Sequence, residues 1–457
     1  MERILKEIAA VFTANGKKVF LVGGGVRDTV RGENPKDFDL ATDAEPDEVC
    51  AMFRKQKYAV IPTGIKHGTV TVFFKNIAFE TTTFRAESDY VDGRHPQNVS
   101  FSKSIEEDLS RRDFTMNAIA VDLPSGRLLD PFGGIADIKK RLIRCVGNPL
   151  DRFGEDGLRP LRACRFAAQL GFSADEALLA AIPQTLQTAA KVSIERVRDE
   201  FTKILLSQKP SVGLLLMEKT GLLQLFVSEL ADCRGVEQKG FHRFDVLDHS
   251  LLACDCTSTE NCCLEVRLAA LFHDIGKPST RRLDESGVWT FYRHEHESVR
   301  LCRLILMRFR FPNTVIDTTC HLVAEHMFFY TDRWTDAAVR RFIIRVGVEN
   351  LTNLYSLRRA DAFATTGQPL PTGFLSDLIA RVDMEIAEKR AFSLKNLAVS
   401  GKDLIGIGIK PGPRMGAILK ELLDSVVRDP ELNTREKLLE VAGKMQGNRN
   451  KIRTLDL

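Results

Sequence analysis

The spacing of apolar residues changes character near residue 137. Before it, short β-branched and aromatic runs bounded by glycine and polar residues, such as VFLVGGGV, GTVTVFF and IAFETTTF, are typical of strands. After it, apolar residues recur with a period near 3.6, which is typical of helices. The helical segments are IKKRLIRC, LRPLRACRFAAQL, EALLAAI and IERVRDEFTKILL. The pattern predicts an α+β chain, with a mixed sheet and helices in an N-terminal head and an all-helical remainder.

Length and composition restrict the class of protein. A chain of 457 residues is expected to form about three domains, at roughly 100–200 residues each. With 44% hydrophobic and 28% charged residues, the composition excludes a disordered or fibrous protein. No apolar run approaches the roughly 18 residues of a membrane helix. The first residues, MERILKEIAAVF, predict an amphipathic helix and not an export signal, so we expect a cytoplasmic protein without a membrane partner.

The ten cysteines are expected to be thiols, because disulfides are rare in chains that are not exported. Four of them crowd together, at Cys254, Cys256, Cys262 and Cys263. Their spacing differs from the paired C-x₂-C of zinc sites, which favours a cysteine-rich loop over a metal site. The role of this cluster stays open. The net charge of +4 says little about partners.

A glycine-rich turn follows the first predicted strand. Gly23 and Gly24 leave room for backbone N–H groups to approach a phosphate, and Arg27 can bind the same anion. A glycine triplet is by itself often only a tight turn. The turn therefore becomes a candidate nucleotide site only together with the residues that follow it.

Those residues are carboxylates. Asp37 and Asp39 stand at positions i and i+2, which point to one face of a strand. Two adjacent carboxylates repel each other unless a cation lies between them, and oxygen-rich pairs suit Mg²⁺. Two such ions can activate an attacking hydroxyl and neutralise a leaving pyrophosphate. Glu80, in the strand FETTTF, is the candidate third ligand, or else the polar side of an alternating strand.

A third candidate segment is RRDFTMNAIA. Arg112 can bind a phosphate with two hydrogen bonds, and Asp113 or Asn117 can accept one from a ribose hydroxyl. The simpler interpretation is a helix N-terminus capped by Asp113.

Five motifs in order carry a family resemblance. They are GGxxRD, DxD, RRDFTxNA, DPFGG at Asp130–Gly134 and EDxxR at Glu155–Arg159. In this order they resemble the class II tRNA nucleotidyltransferases, or CCA-adding enzymes, and the bacterial poly(A) polymerases of the polymerase-β-like superfamily. The C-terminal stretch VSGKDLIGIGIKPGPRMGAILKELL is also similar to the tail of CCA-adding enzymes. The resemblance spans nearly the whole chain.

The resemblance implies an activity, substrates and roles for residues. The chain would add or repair the 3′-terminal CCA of tRNA from CTP and ATP, with release of pyrophosphate. Asp37 and Asp39 would hold the catalytic metals, Gly23, Gly24 and Arg27 the triphosphate, and Arg112 and Asp113 the ribose. Asp130–Gly134 would act as a hinge between head and neck.

The resemblance also implies that side chains select the base. Asp156 and Arg159 would present hydrogen-bonding groups to cytosine or adenine. On one continuous helix, Glu155, Arg159 and Arg162 would share a stripe with Asp156 beside it. Against this, Glu155 and Arg159 could form an ordinary ion pair on a solvent-exposed face. Because Pro160 disfavours a helix interior, either the helix begins near Gly157 or it kinks.

A second set of motifs resembles the HD phosphohydrolase superfamily. His249, the pair His273-Asp274 within LAALFHDIGKP, and Asp361 supply mixed nitrogen and oxygen ligands that suit a divalent transition metal of unknown identity. Two-metal members add further histidines. By spacing, His294 and His326 are favoured over His296 and His321.

We therefore expect four regions: a nucleotidyltransferase head (1–137), a helical neck that binds RNA (138–240), an HD-type metal domain (241–365) and a helical tail that contacts tRNA (366–457). The alternatives are an A-only enzyme or poly(A) polymerase, a metal phosphohydrolase whose head merely binds RNA, and a non-catalytic RNA-binding protein. The segment SDYVDGRHPQNVSF resembles the flexible loop of enzymes that add A. The sequence does not indicate the oligomeric state.

Overall fold

The chain divides into two compact units. The computed structural model describes residues 2–35, 37–65, 68–85, 101–238, 243–388 and 392–453. The first unit comprises Met1–Val236 with Leu304–Pro312, and the second comprises Glu237–Arg303 with Asn313–Leu457. Residues 88–100 of the predicted flexible loop lie outside the described residues. The four predicted regions remain a prediction at this level of division.

A seven-stranded mixed sheet forms the centre of the first unit. Its strands run in the order β3-β4-β5-β2-β1-β6-β7, and β2 and β5 form its parallel pair. The bounds are β1 Val19–Val22, β2 Asp39–Thr42, β3 Ala59–Gly64, β4 Thr69–Phe74, β5 Ile77–Thr83, β6 Ala120–Asp122 and β7 Leu128–Leu129. The strands predicted from VFLVGGGV, GTVTVFF and IAFETTTF are β1, β4 and β5.

The middle of this sheet is buried on both faces. All four residues of β1 are buried, and successive side chains of a strand point to opposite faces. Phe20 and Val22 join one cluster with Phe84, while Phe12 of the first helix packs edge-on against Phe53 at 5.3 Å between ring centroids. Burial of such side chains contributes about 1.5–3 kcal/mol each, which fixes the register of the strands that carry the site.

Helices make up the rest of the first unit, with a small parallel ladder of β8 Leu142–Ile143 and β9 Ser173–Ala174. The helices are α1 Glu2–Ala14, α2 Gly24–Val30, α3 Pro46–Lys55, α4 Ile105–Ser110, α5 Gly134–Lys140, α6 Pro149–Glu155, α7 Arg159–Leu170, α8 Glu176–Ala181, α9 Leu186–Ala189, α10 Ile194–Leu205, α11 Pro210–Lys219, α12 Leu222–Phe226 and α13 Ser228–Ala231.

Most of the predicted helices are found, with one error. The segment IKKRLIRC is only the end of α5, because Arg141 adopts a left-handed conformation (φ 53°) and the chain continues as β8. The apolar residues of that segment follow a helical period by coincidence. The local pattern does not reveal that Leu142 pairs with Ser173, thirty-one residues away.

The second unit is built from helices and one short hairpin, β10 Arg282–Leu283 with β11 Trp289–Thr290. Its helices are α14 Val246–Thr259, α15 Leu264–Phe272, α16 Lys277–Thr280, α17 His294–Arg308 (whose last residues belong to the first unit), α18 Asn313–Glu325, α19 Asp336–Val346, α20 Leu351–Thr366, α21 Ser376–Ala387, α22 Gly401–Gly406, α23 Pro413–Arg428 and α24 Arg435–Arg453. Helices α14, α15, α18 and α20 pack on one another, and α22 to α24 enclose a separate apolar cluster around Leu404 and Leu422.

The predicted α+β class is confirmed, with a mixed sheet in the head followed by a helical body. None of the helices in the described part of the chain has the length and hydropathy that crossing a bilayer requires.

The start of α5 provides a test of this packing. A Cβ on Gly134 would lie 2.1 Å from the carbonyl oxygen of Thr115, a backbone atom that cannot rotate away. Gly134→Ala should therefore lower the free energy of unfolding by about 1–3 kcal/mol or more, measured by urea denaturation. Gly154→Ala, within helix α6 and with no atom near its Cβ position, is the matched control and should be neutral or stabilising. Equal effects of the two changes would contradict the described packing.

Candidate active sites

One cavity of about 770 Å³ in the first unit gathers every site residue predicted for the head. These residues are Gly23, Gly24, Arg27, Asp37, Asp39, Glu80, Arg112, Asp113, Asn117, Asp156, Arg159 and Arg162. They come from five separate stretches of the chain, so the cavity exists only in the folded unit.

The carboxylates lie where two parallel strands meet. Strand β2 pairs with β5 so that Asp39 stands directly opposite Glu80. The expectation that Asp37 shares the strand with Asp39 is wrong, because β2 begins at Asp39. Asp37 precedes the strand, buried Phe38 separates it from Asp39, and both carboxylates still line the cavity.

The environment of Asp39 disfavours the ionised form of its carboxyl group. Burial, reinforced by the neighbouring charges of Glu80 and Asp37, raises the pKa of Asp39 from 3.8 to about 6, and Arg112 opposes the shift only in part. No group of three that includes Asp39 has all its ligand atoms within 4.8 Å of one another among the described residues. Such an open set suits Mg²⁺, which takes one or two protein carboxylates and completes its shell with water and substrate phosphates.

The glycine turn lies directly beside these acids. Gly23 adopts a φ of 71°, and a Cβ there would lie 3.3 Å from both Asp39 Oδ2 and Arg112 Nη1. Only glycine combines this backbone conformation with such close neighbours. The turn therefore brings the backbone close to the carboxylate of Asp39 and the guanidinium of Arg112.

A chain of hydrogen bonds links the predicted ribose-binding residues. Arg27 donates to the Asn117 side chain at 3.0 Å, and Asn117 donates to Asp113 at 3.2 Å. The guanidinium of Arg162 donates to the other oxygen of Asp113 at 2.7 Å. Burial works against ionisation of Asp113, but Arg162 lowers its pKa overall. Asp113 does not cap a helix, so the predicted cap is wrong. The turn after it, Thr115–Asn117, is a short 3₁₀ helix without a side-chain cap.

Asp108 is a contributing residue that the sequence analysis missed. It is buried, and its carboxylate accepts hydrogen bonds from Arg111 at 2.9 Å and from Arg112 at 3.0 Å. Although burial opposes it, the two arginines lower the pKa of Asp108. Its position three and four residues before these arginines, at the end of α4 and just beyond it, was the available signal.

The base-selecting motif forms a turn, not one helix as expected. Helix α6 ends at Glu155, Asp156 is extended, and α7 begins at Arg159, so Pro160 lies in a first helical turn. Of the two alternatives for Pro160, the later helix start is therefore the one observed. The turn is tight because a Cβ on Gly157 would lie 2.4 Å from the carbonyl oxygen of Thr188.

This turn holds both candidate side chains firmly. Arg159 donates to Glu155 at 2.5 Å and to the carbonyls of Arg152 and Arg111. The Glu155–Arg159 ion pair thus exists, but on a mostly buried face and not a solvent-exposed one. Asp156 caps the turn through the backbone N–H of Leu158.

Several cavity residues come from positions with no local signal. Arg196 of α10 pairs with Asp156 at 3.0 Å across forty residues of sequence. The same cavity is lined by Arg85, Arg165, Gln169 and Lys203, none of which stands in a recognised motif. The cavity therefore combines carboxylates with a larger number of basic side chains, a composition that suits an anionic ligand.

The second unit contains a second centre. Two groups of three ligands meet there in the described residues: His249, His273 and Asp361, and Asp274, His294 and His326. All six side chains are buried, and within each group the ligand atoms lie within 4.8 Å of one another. These are the six residues predicted for the HD-type site.

Asp274 joins the two groups. Its Oδ2 lies 3.3 Å from His273 Nε2 and 3.5 Å from His249 Nε2, whereas its Oδ1 lies 3.1 Å from His294 Nε2. Asp361 closes the first group at 3.2 Å from His249 Nε2. A carboxylate with one oxygen toward each histidine set has the arrangement of a ligand that bridges two metal ions.

The surroundings of the histidines fit metal binding. The Nδ1 atoms of His273, His294 and His326 each lie 2.6–2.9 Å from a backbone carbonyl, which leaves Nε2 for a metal. The Nε2 atoms of His294 and His326 are buried and make no hydrogen bond among the described residues. Burial and nearby His273 lower the pKa of His326 to about 4, which keeps this ring in its neutral, ligating form.

The disfavoured histidines and the cysteines lie apart from this centre. His296 is largely exposed, and the Nε2 of His321 lies 2.7 Å from the carbonyl oxygen of Val346.

All ten cysteines are free, as expected. Among the described residues no metal-ligand group includes Cys254, Cys256, Cys262 or Cys263, which lie at the end of α14 and before α15. Cys254 and Cys256 lie within α14, and only Cys262 and Cys263 lie in the loop before α15, so the expected cysteine-rich loop is wrong for the first two.

Three family models match successive parts of the chain. The poly(A) polymerase head domain matches residues 19–144, and the probable RNA and SrmB-binding site of polymerase A matches residues 171–233. The tRNA nucleotidyltransferase domain 2 model matches residues 284–442.

Curated relatives and a solved structure agree with these matches. The CCA-adding enzyme of Levilactobacillus brevis is 33% identical over 424 residues, covering 93% of each chain. That of Latilactobacillus sakei is 34% identical and covers 96% of each chain. The crystal structure of the Bacillus stearothermophilus CCA-adding enzyme in complex with CTP superposes with a TM-score of 0.74 at 31% identity, covering 98% of each chain. The chain therefore belongs to the family of CCA-adding enzymes, the tRNA nucleotidyltransferases.

Proposed function

We propose that this enzyme adds or repairs the 3′-terminal CCA of tRNA, using CTP and ATP and releasing pyrophosphate. The observation that carries the proposal is the single cavity that Asp37, Asp39 and Glu80 line together with many arginines and a glycine turn. The relatives named above support full CCA addition over addition of A alone. Incubation with tRNA lacking CCA, CC or A, followed by product sizing, tests this choice directly.

In this proposal the acidic residues of the head bind metal ions, whereas its glycine turn and arginines bind the triphosphate. Asp37, Asp39 and Glu80 hold Mg²⁺, which supplies charge neutralisation for the attacking 3′ hydroxyl and the leaving pyrophosphate. Gly23 and Gly24 bind triphosphate oxygens through the backbone, and Arg27 and Arg112 through guanidinium groups. The acids that already pair with these arginines keep them oriented before substrate arrives, which lowers the reorganisation needed in the transition state.

Base selection is assigned to the turn between α6 and α7. Asp156 offers an acceptor and Arg159 donors, and both are held by neighbouring groups, Arg196 in the case of Asp156. A rigid set of donors and acceptors rejects a wrong base because its own polar groups would be left unpaired. Asp113, Asn117 and Arg162 would bind the ribose on the same side of the cavity.

We assign the second unit a separate activity as a metal-dependent phosphohydrolase or phosphodiesterase. The supporting observation is the pair of buried ligand groups joined by Asp274. Despite burial, Asp274 and Asp361 raise the pKa of His273 to about 10, so without a metal the site retains a proton to balance its carboxylates. A divalent ion bound there would replace that charge and lower the pKa of a water molecule toward neutrality.

We also propose the functional division into a head (1–137), an RNA-binding neck (138–240), a metal domain (241–365) and a tail that contacts tRNA (366–457). The match of residues 171–233 to an RNA-binding family model supports the second of these regions.

Replacement of Asp39 by Asn should raise the stability of the metal-free protein and lower its nucleotide-addition activity. Because its pKa is raised, the folded chain binds more protons than the unfolded chain between pH 3.8 and about 6. The stability of the metal-free protein should therefore fall as pH rises through this window. Asp39→Asn should add about 1–3 kcal/mol at pH 7, and nothing below pH 4, while nucleotide addition falls by several orders of magnitude.

Urea denaturation without metal and a tRNA extension assay with Mg²⁺ measure the two effects. Asp47→Asn, on an exposed position of α3, is the control and should change neither. Normal extension by Asp39→Asn at ordinary Mg²⁺ concentration would overturn the catalytic role.

Substitutions in the base-selecting turn should change the selectivity among nucleotides more than the rate of nucleotide addition. Asp156→Ala or Arg159→Ala should reduce the discrimination between correct and incorrect nucleotides by about 100-fold or more. The measurement is kcat/KM for CTP, ATP, UTP and GTP on tRNA lacking CCA or A. Asp151→Ala, an exposed acid on neighbouring α6, should leave discrimination intact. Unchanged selectivity in the first two variants would reduce the pair to a structural role.

The second centre should be independent of the first. His294→Ala and Asp274→Ala should lose bound metal and lower phosphoester hydrolysis by at least about 100-fold, while CCA addition continues. His296→Ala, on the same helix as His294 but exposed, is the matched control for both readouts. Metal content by elemental analysis is measured alongside both activities. An unmodified protein that binds no Mg²⁺, Mn²⁺, Ni²⁺ or Co²⁺ in this unit would contradict the proposal.

A further inference from the structure

Phe166 of helix α7 contacts three guanidinium groups in the cavity of the first unit. The guanidinium carbon of Arg165 lies 4.1 Å from the centre of the Phe166 ring. The corresponding distances are 5.3 Å for Arg27 and 5.6 Å for Arg162. An aromatic face attracts a cation within about 6 Å of its centre, and all three groups lie in that range. The ring and the three arginines all line the cavity, although Arg165 was not among the predicted site residues.

Packing holds the ring of Phe166 in a defined orientation. The residue is 5% exposed, and the ring of Phe114 meets it at 5.7 Å between centroids and 88° between planes. This edge-to-face geometry is one of the preferred arrangements of two aromatic rings. Phe114 is itself completely buried, so neither ring can turn away without disturbing the core. The face of Phe166 is therefore in place before a ligand enters the cavity.

Each of the three guanidinium groups is also paired with an acid. The pairs are Arg27 with Asp28 at 2.9 Å, Arg162 with Asp113 at 2.7 Å and Arg165 with Glu200 at 3.2 Å. A guanidinium is a planar fork with five N–H donors, so one acid does not use all of them. An acid and an aromatic face thus orient each arginine and leave further donors for a ligand.

Arg165 shows that positive charge is concentrated around this ring. It is buried, and its Nε makes no hydrogen bond among the described residues. Burial lowers the pKa of Arg165 to about 10, Glu200 opposes that shift, and the nearby charges of Arg162 and Arg27 add to it. Arg165 nevertheless stays charged at neutral pH, so a bound anion would stabilise the cluster.

The glycine turn adjoins the same cluster. A Cβ on Gly24 would lie 3.6 Å from Arg27 Nη2, which places this guanidinium directly beside the turn. The charge of a nucleoside triphosphate lies on its phosphates, which CTP and ATP share with each other and with pyrophosphate. The cluster therefore suits the part of the substrate that is the same in every nucleotide.

We propose that Phe166 is a positioning residue whose ring holds Arg27 and Arg165 toward the triphosphate of the incoming nucleotide and Arg162 toward its ribose. Arg165 then binds phosphate oxygens, a role that no motif assigns to it. This inference rests on the nucleotide-addition activity proposed above. Because the phosphates are common to all nucleotides, the ring sets affinity, whereas the turn between α6 and α7 sets the choice of base.

Fluorination of the ring tests its electrostatic role separately from its shape. Fluorine withdraws electron density from the aromatic face, which weakens the attraction for cations while the ring keeps nearly the same size. Full-length protein with phenylalanine or its mono-, di- or trifluorinated forms at position 166 is titrated with CTP, ATP and pyrophosphate in the presence of Mg²⁺. All three dissociation constants, measured by calorimetry, should rise stepwise with the number of fluorine atoms.

Natural substitutions supply the size of the effect. Phe166→Leu should raise the three dissociation constants by about 5- to 30-fold, the equivalent of about 1–2 kcal/mol of cation–π interaction. Phe166→Tyr keeps an electron-rich face and should retain values close to those of the unmodified chain. The ratio of kcat/KM for CTP to that for UTP should stay unchanged in Phe166→Leu, in contrast to Asp156→Ala.

Phe201 of α10 is the matched control. It is also buried, its ring packs against Phe309 at 5.4 Å, and no arginine or lysine of the described residues lies over it. The same fluorinated residues at position 201 should leave all three dissociation constants unchanged. Urea denaturation of every variant shows whether it is folded.

A double-mutant cycle tests whether the ring acts through Arg165. Arg165→Gln alone should weaken pyrophosphate binding, and it should weaken it less when Phe166→Leu is already present, because the two changes remove one shared interaction. Strictly additive effects of the two substitutions would overturn positioning through Arg165.

The remaining outcomes separate this proposal from the proposed function. Dissociation constants that stay constant along the fluorine series, or that change equally in the Phe201 series, would overturn the role of the ring and leave nucleotide addition intact. Binding of CTP with the expected fluorine dependence, but without extension of tRNA, would overturn the proposed function alone. An unmodified chain that binds neither CTP nor pyrophosphate would overturn both.

Discussion

Like charges held close together are the constraint from which the rest of the head follows. The parallel pairing of β2 with β5 fixes Asp39 opposite Glu80, with Asp37 at the same cavity. Burial first, and the charges of Glu80 and Asp37 in addition, make the ionised form of Asp39 unfavourable and raise its pKa to about 6. The buried apolar residues of the sheet supply the stability that keeps the acids in place. The fold thus holds a charge in an unfavourable environment, which a bound cation would relieve.

The arginines of the cavity are held in place by pairing with acidic side chains. Arg112 pairs with Asp108, Arg162 with Asp113, and Asp156 with Arg196, so each guanidinium is already oriented by an acid. These pairs are partly or largely buried, where solvent screening is weaker than at the surface. Arginine suits this task because its planar fork can satisfy an acid on one edge and a phosphate or base on another. Orientation before binding is what converts a basic cavity into one that distinguishes nucleotides.

The sequence predicted those parts of the site that lie within short motifs. The strands, the glycine turn, the Asp37 and Asp39 pair and the His273-Asp274 pair all depend on neighbours within a few residues, and spacing alone reveals them. Pro160 indicated a helix start or a kink near Gly157, but the choice between them was not predictable from the sequence, because the close contact of Gly157 with Thr188 involves another helix. Arg196 and Lys203 were missed for the same reason. Tertiary contacts without a local period determine such residues.

The two centres differ in how completely the protein itself supplies the ligands. In the head, open carboxylates leave most of a metal's shell to water and nucleotide, so metal and substrate are expected to bind together. In the second unit, two histidines and one carboxylate surround each position in a buried site, and Asp274 lies between the two groups. Such a set can retain a transition metal between turnovers, since it does not depend on the substrate for coordination. The donor sets of the two centres thus differ in kind: open carboxylates in the head, and buried histidines with carboxylates in the second unit.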